Sequence, residues 1–212
     1  MREPMTAALP PTDAALSLRG VTRAYAGRRV LGPVGLDVVA GAVALVEGPN
    51  GSGKTTLLRI AAGLLTPSTG SVRRPRRAVY LRPGAGARAE QTVGQALGWA
   101  AAMSPRERAD VSAAVEMVGL ATAAHTRVAA LSAGQRARLS IAAALVTDPD
   151  LACLDEPTSH LDAAGRADAA RALAVLLRRG CALLVATHDP ADLAAIADAR
   201  LRLSGGRMEE HP

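Results

Sequence analysis

Phenylalanine is absent from the 212 residues, and Trp99, Tyr25 and Tyr80 are the only aromatic rings apart from histidine. A core must therefore be assembled from Ala, Val and Leu. A single-stranded nucleic-acid platform, which stacks successive bases on aromatics, lacks its parts. Lysine and asparagine are scarcer still. There is one of each, Lys54 and Asn50, against 24 arginines (25 basic residues less the one lysine). The two cysteines, Cys153 and Cys181, lie in apolar runs and read as inert buried thiols of a reducing compartment. Two cysteines are too few for a zinc site of the usual kind, and His125, His160, His188 and His211 show no ligand spacing. No apolar run approaches the ~18 residues that would suggest a membrane-crossing helix. Met1 to Asp13 holds Pro4, Pro10 and Pro11 without a continuous apolar stretch, so a tail is expected there rather than a signal peptide.

What is present suffices for a folded chain: 49% of the residues are apolar and 21% charged. The length predicts a tail over 1–13 and a single domain over 14–212. A net charge of +6 suits nucleic acid or an anionic surface on general grounds. Ala15 to Val21 alternates like a half-buried strand, with Val34 to Val39 as its partner. Ala42 to Val46 is a continuous apolar run, as in a strand buried on both faces. Thr55 to Leu64 reads as the helix that follows, and Pro67 to Gly70 as a turn. Ser71 to Ala89, with six arginines, reads as a solvated and partly irregular edge. Thr92 to Val146 is helical and Ala-rich, with a helix start signalled by Ser104-Pro105-Arg106-Glu107. Leu151 to Leu154 and Ala182 to Ala186 are short buried strands around a helix over Ala163 to Arg178. Ala199 to Met208 closes the chain as strand, Gly205-Gly206 turn and return strand. Alternating strands and helices indicate an α/β domain with a mainly parallel sheet.

The only lysine and the only asparagine fall within one motif. Gly48-Pro49-Asn50-Gly51-Ser52-Gly53-Lys54-Thr55 fits G-x-x-x-x-G-K-[ST], between an expected strand and an expected helix. The glycines let backbone N–H groups turn inward around a phosphate, and the helix N-terminus adds its positive end. Lys54 then supplies a compact charge for the β- and γ-phosphates, and Thr55 a hydroxyl for Mg²⁺. Leu151 to Leu154 ends in two carboxylates, Asp155 and Glu156. The first suits Mg²⁺, which keeps several of its waters, and the second a general base. Leu131-Ser132-Ala133-Gly134-Gln135 opens a helix with Ser132 as N-cap, a second phosphate-type terminus. One chain has no need of two such sites for one γ-phosphate, so a partner chain is implied. Guanine readout through Asn-Lys-x-Asp is excluded, because the only Asn and Lys are already in the phosphate loop.

The run LSAGQ, followed by LDEP, SHLD and ATHD, resembles the nucleotide-binding subunits of ATP-binding cassette (ABC) transporters over Leu16 to Met208. The resemblance implies an α/β P-loop NTPase core with a mainly parallel sheet, an antiparallel β-subdomain, and a helical subdomain inserted at about 85–148. It implies ATP with Mg²⁺, the metal held by Thr55 and Asp155. Glu156, His188 and Lys54 would be catalytic, with His188 contacting the γ-phosphate and the attacking water. Tyr25 would stack on adenine, while Gly48, Asn50, Gly51, Ser52, Gly53, Lys54, Thr55 and Thr56 hold the phosphates. Ser132, Gly134, Gln135 and Asp162 would complete the site across a homodimer or heterodimer. The activity implied is ATP hydrolysis driving a separately encoded integral membrane subunit, in an exporter, on the cytoplasmic inner face of the plasma membrane, with no nucleic-acid partner. The alternatives are a soluble ABC-type ATPase acting on the ribosome or DNA, and a degenerate cassette that binds ATP without efficient turnover. The short length and the Gly86 to Val93 stretch are similar to haem-exporter ATPase subunits of cytochrome c maturation. Two positions depart from the family pattern. Ala133 stands in place of a Gly, and Pro83 in place of the Gln that follows the strand Ala78 to Leu81. Gln91 is the nearest alternative to that Gln.

Overall fold

A computed structural model describes residues 14–84, 86–104 and 110–210. The expected tail over 1–13 lies outside them, as do Pro105 to Glu107 of the expected helix start. Two sheets carry the structure. β1 (Ala14–Tyr25), β2 (Arg28–Val39) and β4 (Thr69–Arg73) form an antiparallel sheet in the order β2-β1-β4. β3 (Val43–Glu47), β5 (Ala78–Leu81), β6 (Leu151–Asp155), β7 (Ala182–Thr187), β8 (Ala199–Ser204) and β9 (Arg207–Glu210) form a second sheet, ordered β5-β6-β7-β3-β8-β9. Only the closing β8–β9 hairpin is antiparallel there.

Alternation along the central strands explains how a core without phenylalanine is filled. Val43 and Leu45 of β3 join Ala152, Leu154, Leu183 and Val185 in one apolar cluster. Ala44 and Val46 join Leu151, Cys153, Leu184 and Ala186 in another. Successive side chains of a strand point to opposite faces, so each short strand feeds both clusters. Helix α1 (Lys54–Ala61) covers the second face together with β1 and β2. Helices α2 (Val93–Ala102), α4 (Ala133–Thr147) and α5 (Ala163–Arg178) contribute to the first, as does the short helix α3 (Val111–Met117). Alanines such as Ala137, Ala144, Ala169 and Ala172 are fully enclosed, and their small side chains let helices approach closely.

The helices α2, α3 and α4 all lie between β5 and β6 in the chain, so the parallel sheet is interrupted by a helical block. Among the described residues, the expected helical stretch from Thr92 is thus broken into three α-helices and two one-turn 3₁₀ segments. One expectation is corrected. Thr69 and Gly70 are strand rather than turn, while the arginine-rich edge that follows holds the end of β4 and the short β5 between irregular stretches. Pairing with β1 overrides the local turn signal: Thr22 lies opposite Thr69, with the two hydroxyls 2.8 Å apart.

Candidate active site

Parallel pairing brings three strand ends to one level. Glu47 of β3 lies beside Thr187 of β7, and Asp155 of β6 beside Ala186. The loops leaving these ends therefore share one rim, the carboxyl edge where open α/β sheets bind ligands. Gly48 to Gly53 follows β3, Glu156 follows β6, and His188 follows β7.

α1 begins without a side-chain cap. Its N-cap is Gly53 at φ 109°, a left-handed conformation that side chains resist, and its first turn carries no acidic residue. The N-terminal N–H groups accordingly face the loop. Lys54 is buried, and its ammonium donates to the carbonyls of Gly48 (2.6 Å) and Pro49 (3.3 Å), with Glu156 Oε1 at 4.0 Å. Ser52 Oγ is buried with no hydrogen-bond partner among the described residues. A cavity of about 220 Å³ opens here, lined by Asn50, Gly51, Ser52, Gly53, Lys54, Thr55 and Thr56 together with Asp155 and Glu156.

The carboxylates are tied differently. Asp155 is buried, and its Oδ2 accepts from Thr55 Oγ1 at 2.7 Å and from the Tyr80 hydroxyl at 2.8 Å. Burial, and then this bond to Asp155, hold the Tyr80 phenol above its ordinary range, so Tyr80 is the donor. Glu156 lies just past the strand at φ 54°, a conformation costly for a side-chain-bearing residue, with its N–H bonded to Ala186 O at 2.8 Å. Its Oε2 is 2.8 Å from His188 Nδ1 and 3.3 Å from Thr187 Oγ1, which donates to it. Glu156 thus links the Lys54 ammonium, which lines the cavity with it, to the His188 imidazole, which lines the adjoining pocket.

Ser132, Gly134 and Gln135 form a separate cluster at the start of α4. Ser132 is exposed and caps the helix as its sequence position predicts. Its Oγ accepts from Gln135 N at 3.2 Å, and Gln135 Oε1 accepts from Ser132 N at 2.9 Å, a reciprocal box. The close approach in this motif is at Gly134, where a Cβ would stand 2.8 Å from His160 O. The family's second Gly is thus the constrained one, and Ala133 is accommodated as the first residue of α4. Asp162 caps α5 by accepting from Gly165 N at 2.8 Å, and Arg138 donates to it at 3.0 Å. The Gly165 bond, then Arg138, hold its carboxyl below the ordinary carboxylate range. Tyr25 ends β1, is exposed, and lies under the Arg23 guanidinium at 4.7 Å. It is not among the residues lining the cavity.

Neither Pro83 nor Gln91 reaches the carboxylates. Pro83 sits in the turn after β5, which is fastened to α4 by Gly84 N donating to Arg136 O at 3.1 Å. Gln91 closes its own loop, accepting from Arg88 N at 2.9 Å. The side chains that sequence reasoning missed are Thr187 and, above all, Tyr80. A signal for Tyr80 existed: a lone tyrosine in an apolar strand needs a polar partner for its hydroxyl when buried.

A family model described as ABC transporter matches residues 31–159, more than half of the chain. The chain belongs to the ABC transporter family, as an ATP-binding ATPase subunit. Among curated relatives, it is 42% identical over 202 residues to the aliphatic sulfonates import ATP-binding protein SsuB of Mycobacterium sp. (strain MCS), covering 92% of this chain and 82% of that one. It is 39% identical over 189 residues to the cytochrome c biogenesis ATP-binding export protein CcmA of Rhodopseudomonas palustris (strain BisB5), covering 85% and 94%. A solved ATP-binding subunit of an ABC transporter shares the fold, with a TM-score of 0.82 at 22% identity over 92% of this chain and 90% of the other.

Proposed function

We propose that the subunit hydrolyses ATP with Mg²⁺ in a head-to-tail dimer, and that each turnover drives a separately encoded membrane subunit. The observation that carries the chemistry is the convergence of Lys54, Asp155 and Glu156 on one phosphate-sized cavity, with His188 bonded to Glu156 from the adjoining pocket. The residues present fit the nucleotide and its metal. The uncapped start of α1 and the unpartnered, buried Ser52 hydroxyl are donors without acceptors. Thr55 and Asp155 are paired oxygen ligands of the kind Mg²⁺ takes. When bound, Mg²⁺ would supply Lewis-acid neutralisation of phosphate charge. Gly48, Asn50, Gly51, Ser52, Gly53 and Thr56 would cradle the phosphates, with Lys54 as a compact point charge. Glu156 would take a proton from the attacking water, and His188, bonded to its Oε2, would orient that carboxylate and contact the γ-phosphate. Tyr25 would stack on adenine.

Ser132, Gly134, Gln135 and Asp162 would act on the partner protomer's nucleotide. Their support is that Ser132 and Asp162 are exposed and that none of the four lines the phosphate-loop cavity. An apolar groove of about 780 Å³ beside α2, with Trp99 67% and Met103 83% exposed, would receive a helical segment of the membrane subunit. Among the described residues no helix is long and apolar enough to cross a membrane, so the span would come from that partner. The place of work would be the cytoplasmic inner face of the plasma membrane. Relatives named for import and for export match over comparable lengths. The exporter expectation therefore widens to transport in either direction.

Glu156→Gln tests this reading. It is expected to keep ATP binding while hydrolysis falls by at least ~10²-fold, the scale of a lost general base. Size-exclusion chromatography with ATP and Mg²⁺ should then show an accumulated dimer. An elution volume indifferent to nucleotide, with ATP demonstrably bound, would remove the dimer from the proposal.

A further inference from the structure

β5 sends one side chain to the carboxylates. Tyr80 is in register with Cys153 on the neighbouring parallel strand, and Asp155 lies two residues beyond Cys153. Paired residues of parallel strands share a face, and so do residues two apart. Tyr80 and Asp155 therefore project to the same side of the sheet, the side covered by α1. The Arg59 guanidinium of α1 lies 5.6 Å from the Tyr80 ring centroid. The Thr55 and Tyr80 hydroxyls both donate to Oδ2 of Asp155, and Oδ1 makes no hydrogen bond with a described residue. Of the described residues in β5 and the turn after it, only Tyr80 bonds to Asp155 or Glu156. Its place in the chain is three residues before Pro83, where the side-chain amide is missing.

We propose that Tyr80 is a positioning residue for ATP hydrolysis: with Thr55 it locks Oδ2 of Asp155 and so reserves Oδ1 for the hydrated Mg²⁺. The torsion that turns a carboxylate is soft and nearly two-fold, so one donor leaves it free to swing. Two donors on the same oxygen, one from α1 and one from β5, define its plane. The loop at Pro83 then need not supply an oxygen for the carboxylate to be aimed. The inference rests on the reading of the cavity as an ATP and Mg²⁺ site.

Tyr80→Phe keeps the ring and its contact with Arg59 and removes one hydroxyl. Binding of a fluorescent ATP analogue in EDTA should match wild type. Half-saturation by Mn²⁺, followed by electron paramagnetic resonance with a non-hydrolysable imidotriphosphate analogue, should need roughly 10-fold more metal, near the lower end for a hydrogen bond to a charged group. Half-maximal hydrolysis should shift to higher Mg²⁺ in the same proportion, with KM for ATP at saturating Mg²⁺ little changed. Tyr80→Leu should show the same metal shift together with lower thermal stability. Wild-type metal affinity in the Phe variant, whatever Leu does, would overturn the proposal, since the ring alone would then suffice. Loss of folding in both variants would overturn it too, by making Tyr80 a core residue. Failure of the wild type to bind the analogue would instead strike the nucleotide reading itself.

Discussion

Two helix N-termini in this chain look alike in sequence and are finished in opposite ways. α1 starts at a glycine with no side-chain cap and a buried lysine, and its start borders an open cavity. α4 starts at an exposed serine, and two N–H groups at its start, those of Ser132 and Gln135, are engaged by the Ser132–Gln135 box. Orphan amides cost free energy unless a partner is supplied. At α1 that partner has to come from outside the chain, which suits a phosphate. At α4 the chain supplies part of that partnership itself through the box, so an incoming phosphate shares the terminus with the cap. One terminus is built as a resident site. The other is capped by its own residues and, on the proposed reading, would be used when a second protomer presents a nucleotide to it.

The largest effect is expected at the first terminus. Lys54→Arg should reduce turnover by ~10²- to 10³-fold, the scale of a lost transition-state donor, and weaken ATP binding with the fold intact. The guanidinium is wide and planar where the buried site accepts a compact ammonium. ATPase rates and analogue binding measure it. Near wild-type turnover, in a chain already rich in arginine, would erase the distinction between the two termini.

A complementation assay sharpens the comparison. Lys54→Ala and Ser132→Arg should each inactivate both sites of a homodimer. Mixed after purification, they should regain about a quarter of wild-type activity, because half of the randomly paired dimers have one intact site of two. With wild-type turnover and subunit exchange established, no recovery would mean that Ser132 does not act across the interface.

The smallest effect belongs to the cap itself. Ser132→Ala should cost about 1 kcal/mol in urea denaturation of the isolated subunit and leave its analogue binding unchanged. Unchanged stability would show that the box contributes nothing in solution, and the contrast with α1 would lose its energetic basis.

Local signals were sufficient for much of this. The phosphate loop, the strand ending in Asp155-Glu156, the Ser132 cap and the helix over Ala163 to Arg178 are all contiguous patterns, and the structure has each where it was expected. The failures were non-local. Thr69 and Gly70 read as a turn and became a strand because β1 lies beside them. Gln91 stood nearest to the missing amide in sequence, yet it serves its own loop. Tyr80 was passed over because its partner is 75 residues away.

The sequence by itself determined the chemistry available to this protein: one lysine in a glycine loop, two carboxylates after a buried strand, and a serine at a helix start. Each needs only neighbours within a few residues to be recognised. The tertiary structure alone decided which of these groups meet. Parallel pairing of β3, β6 and β7 sets their ends at one level, and the β5–β6 register sends the Tyr80 hydroxyl to Asp155. Register is a property of two strands at once, set by which faces are buried, and no single stretch of the chain contains it.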